Sequence, residues 1–167
     1  MVTLGFLWFN IADEDGFNVI WGWFGWANQT LAVFTAAFGD TVAVFHSGLS
    51  VGERMDEWKR VRTGRAKIVV GTRSAVFAPV QNLGLIVMDE EQESTYKSES
   101  TPRYHARDIA KFRVNYNRAY CLLCSATPSV ESYYMAQSGK YRYHALHHRY
   151  GDAVVPTVQL VDMNNED

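Results

Sequence analysis

Three short apolar runs, each ending in a polar cluster, constrain the fold of this chain most. Ala66-Lys67-Ile68-Val69-Val70 runs into Gly71-Thr72-Arg73-Ser74, Leu83 to Met88 into Asp89-Glu90-Glu91-Gln92, and Tyr120 to Cys124 into Ser125-Ala126-Thr127. Runs this short and this uniformly apolar suit strands buried on both faces of a parallel sheet. In open parallel sheets the functional groups gather beyond the carboxyl ends of the strands. The three clusters are therefore expected along one rim, with paired carboxylates, an arginine and several hydroxyls suited to nucleotide and phosphate chemistry.

Helical patterns separate these runs. Gln29 to Phe38 carries Leu31, Phe34 and Phe38 on one face, with Gly39 as a stop. Val42 to Phe45 reads as a strand leading into His46-Ser47-Gly48. Ser50 and Glu53 form a capping box for a helix with Met55, Trp58 and Val61 as its apolar stripe and Gly64 at its end. A polar stretch from Glu93 to Pro102 leads into a helix from about Tyr104 to Tyr116. Thr127 and Pro128 are expected as N-cap and first turn of a helix reaching Ser138, with Gly139 beyond. Tyr141 to Leu146 and Val155 to Val161 read as further strands. Alternating strands and helices imply a layered α/β sheet. The first 27 residues are different: Trp8, Trp21, Trp23 and Trp26 crowd among phenylalanines, and only Phe17 to Trp21 reads as a candidate strand.

The bulk numbers exclude some classes. A net charge of -2 supplies no global positive field, so nucleic-acid binding requires a local patch. No apolar stretch is long enough to span a bilayer, and the aromatic start lacks a basic n-region, so a cytoplasmic location is expected. The two cysteines, Cys121 and Cys124, fall in one strand, where residues three apart face opposite ways. They are read as structural thiols rather than a zinc pair.

Asp89-Glu90 directly after an apolar strand is the layout of a Walker B motif. The first carboxylate helps hold a magnesium ion through water, and the second orients and deprotonates an attacking water. A solvated acidic turn has the same sequence, so the pair alone decides nothing. Ser125 and Thr127 can hydrogen-bond the carboxylates or a phosphate oxygen; Thr127 could equally be only a helix cap. Thr72, Arg73 and Ser74 suit a phosphate oxygen, or are a loop containing an arginine. The stretch holding Tyr96, Lys97, Arg103, Tyr104, His105 and Arg107 interleaves rings and cations, as single-stranded nucleic acid requires. Tyr104 could instead pack as the first turn of the following helix.

His46 to Ser50, Gly71 to Pro79, Asp89 to Gln92, Tyr104 to Asp108 and Ser125 to Ser129 stand in the order of one family. From about Gln29 to Met163 the chain resembles the PriA family of bacterial replication-restart helicases in superfamily 2. The resemblance implies a RecA-like P-loop NTPase fold, with a mostly parallel sheet, helices on both faces and an incomplete N-terminus. It divides the chain into a divergent aromatic segment (1–27), a partial first helicase domain (28–163) and a tail (164–167). It implies an ATP-dependent 3′–5′ DNA helicase acting in replication restart and primosome assembly, with ATP and magnesium as cofactors. Zinc is implied only for a missing C-terminal part. The implied partners are single-stranded or forked DNA, primosome proteins and single-stranded-DNA-binding proteins, with no membrane. Carried over by position, Asp89 is the magnesium-side carboxylate and Glu90 the catalytic base. Gln92, Ser125 and Thr127 belong to the coupling motifs. Thr72, Arg73, Ser74, Tyr96, Lys97, Arg103, Tyr104, His105 and Arg107 face DNA.

Two departures qualify the resemblance. The family's acidic motif ends in histidine, and Gln92 stands here; an amide donates and accepts hydrogen bonds but carries no titratable charge. No G-x-x-x-x-G-K-[ST] string occurs, so the phosphate-cradling loop is absent from the sequence. The expectation is thus a helicase fragment not competent for ATP hydrolysis alone. The alternative is a non-catalytic module that binds single-stranded DNA or a replication protein. On either expectation, the aromatic residues of 1–27 cover the sheet edge left by a missing strand or stay unordered.

Overall fold

In the computed structural model, the described residues are 18–22 and 27–146, the first five and 27–31 by backbone alone. Five strands form one sheet in the order β2-β3-β1-β4-β5: β1 (Asn18–Gly22), β2 (Val42–Phe45), β3 (Ile68–Gly71), β4 (Leu83–Met88) and β5 (Tyr120–Leu123). Every pairing is parallel. Four helices connect or follow them: α1 (Ala27–Phe38), α2 (Val51–Arg62), α3 (Ala106–Asn117) and α4 (Val130–Gln137).

The apolar runs form this sheet because both faces are covered. Val42, Ile68 and Val70 pack with Phe34 and Phe38 of α1 on one face. Ala43, Phe45, Val69, Ile86 and Met88 pack on the other with Val61 of α2 and with Ala106 and Ala110 of α3. Alternation along each strand thus feeds two cores, as the absence of a wet face in the sequence requires. Gly71 is needed where β3 ends: a Cβ there would overlap the Phe45 carbonyl and come within 2.8 Å of the Ala75 Cβ.

The capping box forms as expected. The Ser50 Oγ accepts from the Glu53 amide, and the Glu53 carboxylate accepts from the Ser50 amide at 2.8 Å. Glu57 accepts from the Val44 amide at 3.1 Å and pairs with Arg60, tying α2 to β2. Met55 and Trp58, expected in the apolar stripe, stay largely or partly exposed, and Val61 carries the burial.

The strand read at Phe17 to Trp21 forms as Asn18–Gly22, the third of five strands, between β3 and β4. Residues 1–17 and 23–26 lie outside the described set, as does the expectation for the aromatic side chains of 1–27. Two expectations are corrected. α4 starts at Val130 with Ser129 as N-cap, not at Thr127. The Ser129 hydroxyl accepts from the Ser132 amide at 3.3 Å, which places the cap two residues later. Residues 141–146 are not a strand; the reading of Val155 to Val161 falls outside the described residues. Among the described residues, no helix is long and apolar enough to cross a membrane.

Candidate functional site

The strand register builds the rim. Phe45 pairs with Gly71, Gly71 with Gly22, Gly22 with Met88, and Met88 with Leu123. All five strands therefore end at one level. The segments that follow them, beginning at His46, Thr72, Asp89 and Cys124, leave the sheet side by side. One strand separates Thr72 from Asp89, about 10 Å at ordinary strand spacing. Asp89 and Cys124 follow neighbouring strands.

At the centre stands a chain of side-chain hydrogen bonds. The Gln92 amide donates to Glu90 Oε2 at 2.8 Å, and Ser125 Oγ donates to Gln92 Oε1 at 2.5 Å. The Thr127 amide donates to Ser125 Oγ at 2.9 Å. The amide of Gln92 thus joins the acidic motif to the hydroxyl motif using donor and acceptor at once. A neutral imidazole offers the same pair of functions. Glu90 sits at φ +49, in the left-handed region, a backbone cost of ~1 kcal/mol or more that typically persists at functional turns. Since Ser129 caps α4, Thr127 is released from that duty and lies exposed on the rim.

Burial, and then the neighbouring Glu90 charge, raise the Asp89 carboxyl above the usual aspartate range. Two adjacent half-buried carboxyl groups fit a hard divalent cation, and their oxygen-only donors fit magnesium.

The DNA-assigned residues divide into two groups. Lys97, Arg103 and Ser74 are exposed, and Thr72 is half-buried at the rim. The others are already engaged. Tyr96 is 2% exposed, and its hydroxyl donates to the Asp89 carbonyl at 2.8 Å. Burial pushes its phenol well above the ordinary range. Tyr96 is therefore a core ring pinned to the acidic turn and not a free stacking platform. Arg73 donates through Nη1 to the carbonyls of Thr95 (3.1 Å) and Lys97 (2.6 Å), with its guanidinium 5.8 Å from the Tyr104 ring centroid. Tyr104 lies edge-on to Phe77 at 4.9 Å. His105 caps α3, its Nδ1 accepting from the Arg107 amide, and burial followed by the Arg107 charge holds its imidazole below the usual value.

Arg107 points inward. Its Nη1 donates to Glu91 Oε2 (2.9 Å), Ser129 Oγ (2.8 Å) and Ser132 Oγ (3.1 Å). Glu91 also accepts from the Ser129 amide at 2.7 Å and from the Ser132 hydroxyl at 3.0 Å. Burial alone would raise the Glu91 carboxyl; the bonds from Ser129, Ser132 and Arg107 outweigh it and leave the group below its usual range. Sequence reasoning assigned Glu91, Ser129 and Ser132 no role here. The one available signal was Ser129 itself, three residues before Ser132 and just after a proline, a cap position better than Thr127.

Cys121 and Cys124 are free thiols, each pushed up to about 11, chiefly by burial. No group of three or more metal-ligating side chains gathers among the described residues.

Comparison with known proteins places this geometry. Residues 26–136 match the DEAD/DEAH box helicase family. The chain is 50% identical over 138 residues to the replication restart protein PriA of Bacillus subtilis (strain 168), covering 83% of this chain and 17% of that protein. It is 46% identical over 138 residues to PriA of Synechocystis sp., covering 80% and 17%. To PriA of Haemophilus influenzae it is 39% identical over 142 residues, covering 85% and 20%. The chain thus spans about a fifth or less of the length of these curated relatives.

Proposed function

The chain belongs to the DEAD/DEAH box helicase family, and from that premise we propose that it is the acidic and DNA-facing part of the first RecA-like domain of a replication-restart DNA helicase. One observation carries the reading: the common strand register sets Thr72, Glu90 and Thr127 on one rim, with Glu90, Gln92, Ser125 and Thr127 in a continuous hydrogen-bond chain.

In this reading Asp89 would hold magnesium, and Glu90 would orient and deprotonate the attacking water wherever the rest of a helicase supplies the phosphate cradle. Magnesium with ATP supplies the charge neutralisation and the phosphoryl group. Gln92 carries the position of Glu90 to Ser125 and Thr127, which report to a second helicase domain. Lys97, Arg103 and Ser74 meet the strand of DNA, and Arg73 and Tyr104 hold the loop that presents Lys97. The sequence has no phosphate-cradling loop, which removes most of the electrostatic stabilisation of the transferring group. A general base alone contributes only about 10²–10⁴-fold. The chain by itself therefore binds single-stranded DNA without turning over ATP. The whole helicase's replication-restart activity, its primosome partners and its cytoplasmic location belong to the same proposal.

The test is ATP hydrolysis by the chain with and without single-stranded DNA, beside Glu90→Gln, together with DNA binding across a salt series. Salt-sensitive binding without turnover is the expected result. DNA-stimulated turnover that disappears in Glu90→Gln would overturn the claim of incompetence. An absence of DNA binding would overturn the DNA-facing assignment.

A further inference from the structure

The third acidic residue of the motif, Glu91, is one step from the base yet faces away from the rim. Its side chain is 1% exposed and closes a cluster built from three separate pieces of chain. Glu91 stands just before the loop spanning residues 93–105, and Arg107 stands just after it. Ser129, two residues beyond Thr127, is the N-cap of α4, and Ser132 lies in its first turn. The ion pair thus ties the two ends of the loop together and fastens both to the helix that follows the hydroxyl motif.

The loop is otherwise gripped from the rim. Arg73 holds the Thr95 and Lys97 carbonyls, Lys97 bridges to His105, and the Ser98 amide donates to the Tyr104 carbonyl at 2.7 Å. His105 then caps α3 by accepting the Arg107 amide at 3.2 Å. A displacement of the loop therefore reaches the Arg107 backbone through a continuous set of bonds. Arg107 Nη1 has its three acceptors on Glu91 and on the start of α4. Arg107 Nε is buried without a partner among the described residues, so Nη1 alone carries the guanidinium's bonds to this cluster. Packed, hydrogen-bonded clusters of this kind move between discrete arrangements rather than deforming smoothly.

We propose that Glu91 and Arg107 are positioning residues: a joint through which the state of the 93–105 loop sets the start of α4, and with it Ser125 and Thr127. The proposal takes from the preceding reading only that the loop is the DNA-facing part; the joint itself is a property of the chain without DNA. It gives the acidic motif two outputs. Gln92 connects the base to Ser125 on the rim, and Glu91 connects the loop to Ser129 beneath it.

The test is amide hydrogen exchange by NMR on the whole chain, in the wild type, Arg73→Ala, Glu91→Gln and the double variant. Arg73→Ala frees the loop from its rim contact, far in sequence from α4. The expected result is exchange at the Ser129 and Ser132 amides about tenfold faster in Arg73→Ala, partly restored by Arg73→Lys, and no further acceleration when Arg73→Ala is added to Glu91→Gln. Arg107→Gln, which removes the ion pair and leaves Glu91 its bonds from Ser129 and Ser132, replaces Glu91→Gln if that variant does not fold. An effect of Arg73→Ala confined to residues 93–105 would overturn the joint. So would effects of the two variants that simply multiply. A second arm adds an oligothymidylate: it is expected to shift the same two amides in the wild type and not in Glu91→Gln. Failure of the oligonucleotide to bind refutes the DNA-facing assignment, while the variant arm decides the joint on its own.

Discussion

Replacing Arg107 with alanine isolates the largest buried electrostatic contribution described here. The guanidinium is 14% exposed and its partner carboxylate 1%, so little solvent screens the pair. Removing one member of a buried ion pair costs about 3–5 kcal/mol, because the other charge is left without its partner. Glu91 retains the Ser129 amide and the Ser129 and Ser132 hydroxyls, which places the loss near the lower end, about 3 kcal/mol. Domains of this size lose about 2–4 °C of Tm per kcal/mol, so the melting point should fall by about 6–12 °C. The pH dependence follows from the depressed Glu91 carboxyl. Its contribution is complete above the unfolded glutamate value and is lost as pH falls through the lower, folded value. The wild type therefore forfeits this stability in acid, whereas in Arg107→Ala protonation relieves the orphaned carboxylate. The gap between the two proteins should narrow steadily below about pH 4.5. Urea titrations at pH 7 and at pH 3.5 to 4 measure both quantities. A loss under about 1 kcal/mol at pH 7, the size of an exposed pair, or a gap that does not change with pH, would refute the reasoning.

Asp89→Asn should stabilise the chain near neutral pH. The raised carboxyl means that the aspartate contributes fully only below its unfolded value, and stability is lost as pH rises through the folded one; melts at pH 4 and pH 7 should show the variant's advantage only at the higher pH. Tyr96→Phe removes the donor to the Asp89 carbonyl and should cost about 1 kcal/mol in urea titration while leaving the ring packed. Gly71→Ala should abolish the folded state or cost several-fold more than Tyr96→Phe, because a Cβ there meets the Phe45 carbonyl; circular dichroism reads this directly. Cys121 and Cys124, pushed up to about 11, should react with a disulfide reagent at pH 7.5 at only a small fraction of the rate of a free thiol, and at full rate in urea.

Much of the fold was legible because strands buried on both faces leave an unambiguous apolar signature. Leu83 to Met88 and Val42 to Phe45 were read with the boundaries that form. Ser50 and Glu53 were read correctly because a capping box is a local contact, complete within four residues. The central strand was legible as a candidate at Phe17 to Trp21 and forms at Asn18–Gly22, but its place in the sheet was not legible. Its neighbours, β3 and β4, are 46 and 61 residues or more away along the chain, and no local pattern encodes that pairing. The same limit hid the division among the DNA-assigned residues. Tyr96 and Arg107 have the composition of a binding loop, and only the return of α3 beneath the acidic turn shows them facing inward. Glu91 carried no signal at all: its partners lie 16, 38 and 41 residues downstream. The rim was legible because each cluster follows its own strand, and parallel strands end together.

The most direct measurement is the fluorescence anisotropy of a labelled oligothymidylate titrated with this chain, at several salt concentrations, beside the double variant Lys97→Ala, Arg103→Ala. The account predicts binding that weakens steeply with salt, and a logarithmic salt slope smaller by about 1.4 in the variant, about 0.7 for each single-strand phosphate contact removed. Equal affinity and equal slope for the two proteins would contradict it, because the exposed cations of the rim would then have no part in holding the strand.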